Sequence, residues 1–103
     1  MFNQKQMMNQ IKKMQESVIK IQEELKNEKV DGKSGDGKVT ITLNGHSEVL
    51  SVKLDPSLLN PEDAEMLEDL LVLAFRDGSE KARELSVKRL GPLTGGMNIP
   101  GLF

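Results

Sequence analysis

Between residues 7 and 25 the apolar side chains Met7, Ile11, Met14, Val18, Ile21 and Leu25 follow one another by alternating steps of four and three. That spacing is a heptad seam, with Ile11, Val18 and Leu25 at a and Met7, Met14 and Ile21 at d. It predicts one helix over residues 3–28. Gln, Lys and Glu fill most of the other positions, and Met8 and Ile19 widen the stripe. A seam this narrow packs against other helices, not deep into a globule. A chain that opens this way needs a helical partner, in itself or in a second copy.

After this helix the chain changes period. Residues 29–37, KVDGKSGDG, are rich in breakers; Val30 suits a short first strand, and Gly35-Asp36-Gly37 is a turn signal. Residues 38–43 alternate, with Val39, Ile41 and Leu43 on one face and Thr40 and Thr42 on the other. Asn44-Gly45 is a hairpin signal, because both positions of a type I′ turn need positive φ. The return strand, 47–54, puts Leu50, Val52 and Leu54 on one face. A two-residue turn sets Leu50 opposite Val39 but also Glu48 opposite Ile41, so a longer loop stays open. Asn60-Pro61-Glu62-Asp63 is a helix start, with Asn at the N-cap, Pro at the first helical position and acids in the first turn. The second helix is expected to run to about Arg89, where Gly91-Pro92 stops it. Ala64, Leu67, Leu71, Ala74, Gly78, Ala82 and Leu85 share one face, and the small residues Ala74, Gly78 and Ala82 suit close approach of another helix. Residues 1–90 thus form a single α-β-β-β-α domain, and 91–103 a Gly/Pro-rich apolar tail.

The expected fold is α+β, a two-layer helix–three-strand–helix unit with long projecting helices. A seven-residue strand spans roughly 23 Å, whereas helices of this length span roughly 40 Å. The helices overhang the sheet, and their seams continue where the sheet cannot cover them. Composition points the same way. In 103 residues the aromatic share is 3%, with no Trp, no Tyr and three Phe. Aromatic rings normally supply large buried areas, so the core rests on Leu, Ile, Val and Met and is thin for a monomer. Open sheet edges add a further reason to associate. A homodimer is expected.

Several chemistries drop out. With no cysteine, disulfides, cysteine zinc sites and thiol nucleophiles are excluded. Gly32-Lys33-Ser34 fails as a phosphate-binding loop, because Asn27 stands where the pattern needs its first glycine; the plain reading is a flexible turn. Asp31 to Thr42 fails as a calcium loop, with Lys33 at the third position, Asp36 at the glycine position and no terminal Glu. His46 is the lone histidine, and one ligand does not make a metal site. No nucleophile–base–orienter set can be assembled. The expectation is a non-enzyme with no cofactor, no metal and no small-molecule substrate. The first residues, Met1-Phe2-Asn3-Gln4-Lys5-Gln6, have no apolar stretch behind their charge, and no run approaches the roughly 20 apolar residues of a membrane span. A cytoplasmic location without membrane contact is expected.

Net charge is −2, but its distribution is uneven. Residues 1–22 carry Lys5, Lys12, Lys13 and Lys20 against Glu16. Residues 55–75 carry Asp55, Glu62, Asp63, Glu65, Glu68 and Asp69 and no base. Residues 76–90 are basic again, with Arg76, Lys81, Arg83, Lys88 and Arg89 against Asp77, Glu80 and Glu84. The basic residues lie off the two seams. As solvated helix faces they need no explanation. If the helices lie side by side, they combine into one patch, which a dimer doubles and a phosphate backbone fits. No aromatic residue interleaves with them, so base stacking is not expected.

The chain resembles the YbaB/EbfC family of bacterial nucleoid-associated proteins. The resemblance rests on Met14-Gln15-Glu16 and Gln22-Glu23-Glu24 in the first helix, then Gly35-Asp36-Gly37, Asn44-Gly45, and Asp55-Pro56-Ser57-Leu58-Leu59. It continues through Glu65-Met66-Leu67-Glu68 and Ala74-Phe75-Arg76-Asp77 to Leu93-Thr94-Gly95-Gly96 and Pro100-Gly101-Leu102-Phe103. Order and spacing over nearly the whole chain carry it, not any one motif. It implies a dimer with long paired helices projecting like tweezers, binding of double-stranded DNA, a place in the nucleoid, and effects on nucleoid organisation and gene expression. The basic helix positions Lys12, Lys13, Lys20, Arg76, Lys81, Arg83, Lys88 and Arg89 are the candidate DNA contacts. The rival reading is a prefoldin-like holdase chaperone or protein-interaction module, since six Met suit adaptable apolar contacts. A membrane-surface helix is a weaker rival, because Glu16, Glu23 and Glu24 occupy the polar face of the first helix.

Overall fold

Helix α1 (Gln4–Asn27) leads through Glu28 into three strands, β1 (Lys29–Ser34), β2 (Val39–Asn44) and β3 (Val49–Leu54), and the chain closes with helix α2 (Ala64–Thr94). The computed structural model describes residues 4–94. The strands form one antiparallel sheet in the order β1-β2-β3. This is the expected α+β arrangement of two long helices and three strands.

The alternation in β2 sets the core. Val39, Ile41 and Leu43 are buried on the face toward α2, while Thr40 and Thr42 face the other way and are half-buried. Leu58 and Ala74 complete the cluster, with Val30, Leu54, Leu67, Leu70 and Leu71 packed around it. Leu58 is delivered by a 3-10 turn, Pro56–Leu58, whose first N–H groups are capped by the Asp55 carboxylate accepting from Ser57 N at 2.9 Å. Asn60 stands at the N-cap of a second 3-10 turn, Pro61–Asp63, before α2 begins. Its side chain donates to the Ser57 carbonyl at 3.1 Å.

The structure departs from the sequence expectation in the segment 29–37. Gly32-Lys33-Ser34 is not a flexible turn but the second half of β1, paired with Ile41, Thr40 and Val39. The reason is tertiary. A Cβ on Gly32 would stand 2.0 Å from the Ala74 carbonyl oxygen and 2.4 Å from the Gly78 nitrogen, so β1 and α2 touch backbone to backbone. The small residues Ala74, Gly78 and Ala82, all buried, therefore admit a strand, not another helix. The turn itself is Gly35-Asp36-Gly37, with φ of 60°, 56° and 86°.

The second hairpin is also different. It is not a two-residue type I′ turn: Gly45 has no positive φ, and the left-handed residue is Ser47 at 63°. Asn44, buried, organises a longer loop. Its Oδ1 accepts from His46 N at 2.9 Å and Glu48 N at 3.1 Å, and its Nδ2 donates to Glu48 Oε1 at 3.1 Å. Glycine is needed at 45 because its N–H donates to the Leu25 carbonyl at 2.8 Å, and a Cβ would lie 2.7 Å from that oxygen. The register sets Val39 opposite Leu54, Ile41 opposite Val52 and Leu43 opposite Val49, with an irregularity at Thr42/Leu43 that skips Leu50. Leu50 and Val52, expected in the core, are each 49% exposed, because α2 lies over β1 and β2 and leaves β3 uncovered.

Nor does Gly91-Pro92 stop α2, which continues to Thr94. Pro92 removes one N–H in the last turn, but the preceding turn is fixed to α1: Leu90 is fully buried, and Arg89 pairs with Glu24 and Glu28. Packing outweighs the local breaker. The rest of the expected tail, residues 95–103, lies outside the described residues. Of the α1 seam, Leu25 is buried and Val18 and Ile21 are half-buried, whereas Met7, Met8, Ile11, Met14 and Ile19 are exposed. The helix projects, and the molecule measures 69 × 21 × 17 Å with a radius of gyration of 19.0 Å, against about 13 Å for a compact chain of this length.

Candidate nucleic-acid interface

The two helices meet through their C-terminal turns, where Arg89 reaches Glu24 and Glu28, and they run in opposite directions there. Contacts down the chain fix the order: Ser34 Oγ donates to the Leu70 carbonyl, Lys33 N to Asp77, Lys81 Nζ to the Asp31 carbonyl, and Arg89 to Glu28 and Glu24. Arg76, Arg83 and Lys88 therefore lie along α2 beside the sheet. Lys20, Lys13 and Lys12 lie progressively farther out on α1. The basic residues do not gather into one patch; they are strung along the long axis of the molecule. At 1.5 Å per residue, Arg76 to Lys88 spans ~18 Å and Lys20 to Lys12 ~12 Å.

The eight candidate residues fall into two groups. Lys12, Lys13, Lys20, Arg76, Arg83 and Lys88 are exposed and form no ion pair with another described residue. Arg76 and Arg83 stand two turns apart on one face, on either side of a shallow depression that Phe75, Ser79 and the acid Glu80 also line. Lys81 and Arg89 are engaged inside the molecule. Lys81 pairs with Asp77 at 3.0 Å and donates to the Asp31 carbonyl at 2.9 Å. Arg89 bridges the carboxylates of Glu24 and Glu28, so it joins α1 to α2. The Asp77 carboxyl is held below its ordinary value of 3.8, first by the Lys33 N–H and then by the Lys81 ammonium.

Sequence reasoning passed over three features. Lys5 lies one heptad before Lys12 and is exposed; spacing alone marks it. His46 is exposed, but its Nε2 donates to the Gln22 carbonyl at 2.7 Å, tying the second hairpin to α1. That contact joins residues 24 positions apart and leaves no local signal. The clamping role of Arg89 is likewise invisible until the helices are placed. The arrangement offers charge along an elongated body. No described helix is long and apolar enough to cross a membrane.

Comparison with known proteins agrees on one family. The model of the YbaB/EbfC DNA-binding family matches residues 1–97. A nucleoid-associated protein of Roseiflexus sp. (strain RS-1) is 48% identical over 99 residues, covering 96% of this chain and 98% of that one. A nucleoid-associated protein of Chloroflexus aurantiacus (strain ATCC 29366 / DSM 635 / J-10-fl) is 46% identical over 101 residues, 98% of this chain and 99% of that one. The crystal structure of an uncharacterized Helicobacter pylori protein superposes with a TM-score of 0.81 at 26% identity, covering 92% of this chain and all of that one. A helix–three-strand–helix chain with an exposed heptad arm, matched by that family's model over nearly its whole length, belongs to the YbaB/EbfC DNA-binding family.

Proposed function

We propose that the chain acts as a homodimer that binds double-stranded DNA in the nucleoid, with effects on nucleoid organisation and gene expression. The observation that carries the reading is the set of six exposed cations, Lys12, Lys13, Lys20, Arg76, Arg83 and Lys88, spread along two helices with no ion pair to another described residue. Lys81 and Arg89 are paired with Asp77 and with Glu24 and Glu28, so they add no net positive charge and serve the interface only by holding the helices in place. A phosphate backbone presents charge in a line, and a line of cations matches it without reading bases. The dimer is supported by the apolar residues the single chain leaves uncovered: Val49, Leu50 and Val52 on β3, and Met7, Ile11 and Met14 on α1.

A gel-shift titration with duplex DNA at two salt concentrations tests the binding. Affinity falls steeply with salt, and the log–log slope drops by about 0.9 for each phosphate that is no longer neutralised. Lys13→Ala combined with Arg83→Ala weakens binding to all sequences alike and flattens that slope, leaving the assembly state unchanged. Unchanged affinity removes both residues from the interface. Light scattering tests the dimer, and a folded species of 11.4 kDa at micromolar concentration refutes it. The exposed Met7, Met8, Ile11 and Met14 favour a holdase as the second reading. That reading gains if the parent protein binds no DNA at low salt and suppresses aggregation of an unfolded client.

A further inference from the structure

A strand at the end of a sheet presents a row of N–H and C=O groups, and another chain pairs with that row unless something stands in the way. This sheet has two such rows, on β1 and β3, and they are treated differently. In β1, Asp31 and Lys33 turn their backbone groups away from β2. The Lys33 N–H donates to Asp77 Oδ2 at 3.0 Å. The Asp31 carbonyl accepts from the Lys81 ammonium at 2.9 Å. Asp77 and Lys81 sit one turn apart on α2 and are joined by an ion pair of 3.0 Å. One outward donor and one outward acceptor, two of the groups an incoming strand would use, are thus each occupied by a side chain, and the two side chains neutralise each other. On β3 the outward groups of Val52 and Leu54 meet no such side chain among the described residues.

We propose that Asp77 and Lys81 close the β1 edge against strand addition by a second copy of this chain. The excluded partner is the protein itself, because both halves of a self-complementary joint are present. β3 offers an open edge with exposed Val49, Leu50 and Val52. An open groove of about 540 Å³, lined in part by the apolar Val30 and Leu85, runs beside β1. A β3 edge seated on the β1 edge of the next copy is a head-to-tail contact. Such contacts build rings where the rotation closes and open filaments where it does not. Sealing β1 confines strand pairing to β3, where two copies meet symmetrically and growth stops. This role is separate from DNA binding and holds whether the parent is a monomer or a dimer, since every variant is compared with the parent.

The test is light scattering of the full chain carrying Asp77→Ala and Lys81→Ala over a range of concentrations. The expected result is a mass that climbs with concentration to about twice the parent mass or more. Adding Lys33→Pro, which removes the outward N–H at an edge position where Pro is tolerated, brings it back. Parent mass at every concentration overturns the proposal. Amide exchange gives a second reading from single variants that keep most of the contacts. Asp77→Ala speeds exchange of the Lys33 amide by about tenfold or more, and Asp77→Asn, which retains an acceptor, does not. Equal Lys33 exchange in the parent and in Asp77→Ala refutes the guard.

Discussion

Replacing Gly32 by Ala adds one methyl group at the tightest point of the molecule. The three atoms nearest that methyl are all backbone: the Ala74 carbonyl oxygen at 2.0 Å, the Gly78 nitrogen at 2.4 Å and the Gly78 Cα at 2.7 Å. No side chain can rotate away. Non-bonded carbon contacts settle near 3.5–4.0 Å, so β1 and α2 must part by about 1.5 Å. Overpacking of this kind costs about 1–3 kcal/mol. Parting the layers also slackens the contacts that Val39, Ile41 and Leu43 make with α2, and a gap of even about 1 Å forfeits up to half of a dispersion well. The total lies near or above the upper figure, about 3 kcal/mol. At roughly 4–8 °C per kcal/mol for a domain of this size, the midpoint falls by about 12–24 °C. Thermal melts followed by circular dichroism at one fixed chain concentration measure it, since association would otherwise shift the midpoint. Gly91→Ala is the internal control. No atom of another described residue lies within 4 Å of its added methyl, its position is helical, and it gains up to about 1 kcal/mol. A Gly32→Ala midpoint within about 4 °C of the parent refutes the backbone-contact argument.

Three further outcomes rest on the same packing. Asp55 and Asp77 hold their carboxyls below the ordinary 3.8, the first mainly through the Ser57 N–H and the second mainly through the Lys33 N–H. Their stabilisation is therefore present above that value and lost as the pH falls through the lower folded value; urea midpoints between pH 5 and 2 decline on the acid side, and Asp55→Asn with Asp77→Asn shrinks that decline. Arg89→Ala leaves Glu24 and Glu28 facing one another one turn apart, costs about 1 kcal/mol because the pairs are partly solvated, and broadens the distance distribution between spin labels at Lys12→Cys and Arg83→Cys; an unchanged distribution shows that Arg89 does not set the helix angle. Ile41→Asp abolishes the fold because it buries an unpaired charge, whereas Val52→Asp keeps the helical circular dichroism signal and lowers the assembled mass; loss of that signal in Val52→Asp shows that the single chain needs β3 buried.

The elements readable from sequence are those whose own period matches their surroundings. The α1 heptad and the Val39/Ile41/Leu43 alternation each keep one unbroken period along their length, and the helix start at Asn60-Pro61 depends only on its own residues. Gly32 is unreadable locally, because its lack of a side chain serves a helix more than forty residues away. Gly45 misleads for the same reason: its partner is the Leu25 backbone, not its own φ. The turn at Gly91-Pro92 is held helical by Arg89 and Leu90 against α1. Leu50 and Val52 alternate correctly as apolar positions, yet which strand α2 covers is a matter of placement. In the candidate interface the charge blocks are plain in the sequence. The division of the cations into free and tethered depends on which acids the fold brings beside them, as Asp77 does for Lys81 and Glu24 and Glu28 do for Arg89.

The C-terminal end of helix α1 is fastened to the sheet around Leu25 and the hairpin loop at Gly45 and His46. From Leu25 to Gln4 the arm is about 31 Å long at 1.5 Å per residue. At Lys12, about 20 Å from Leu25 at 1.5 Å per residue, a displacement of about 3.4 Å, one nucleotide step along a strand, corresponds to a rotation of about 10° at the pivot. Three small attachments, a glycine N–H, a histidine ring and the Arg89 bridge, thus govern where Lys12 and Lys13 fall relative to Arg76 and Arg83. A rotation of that size would shift Lys12 and Lys13 by about one base-pair rise against Arg76 and Arg83 while leaving the strand pairing as it is.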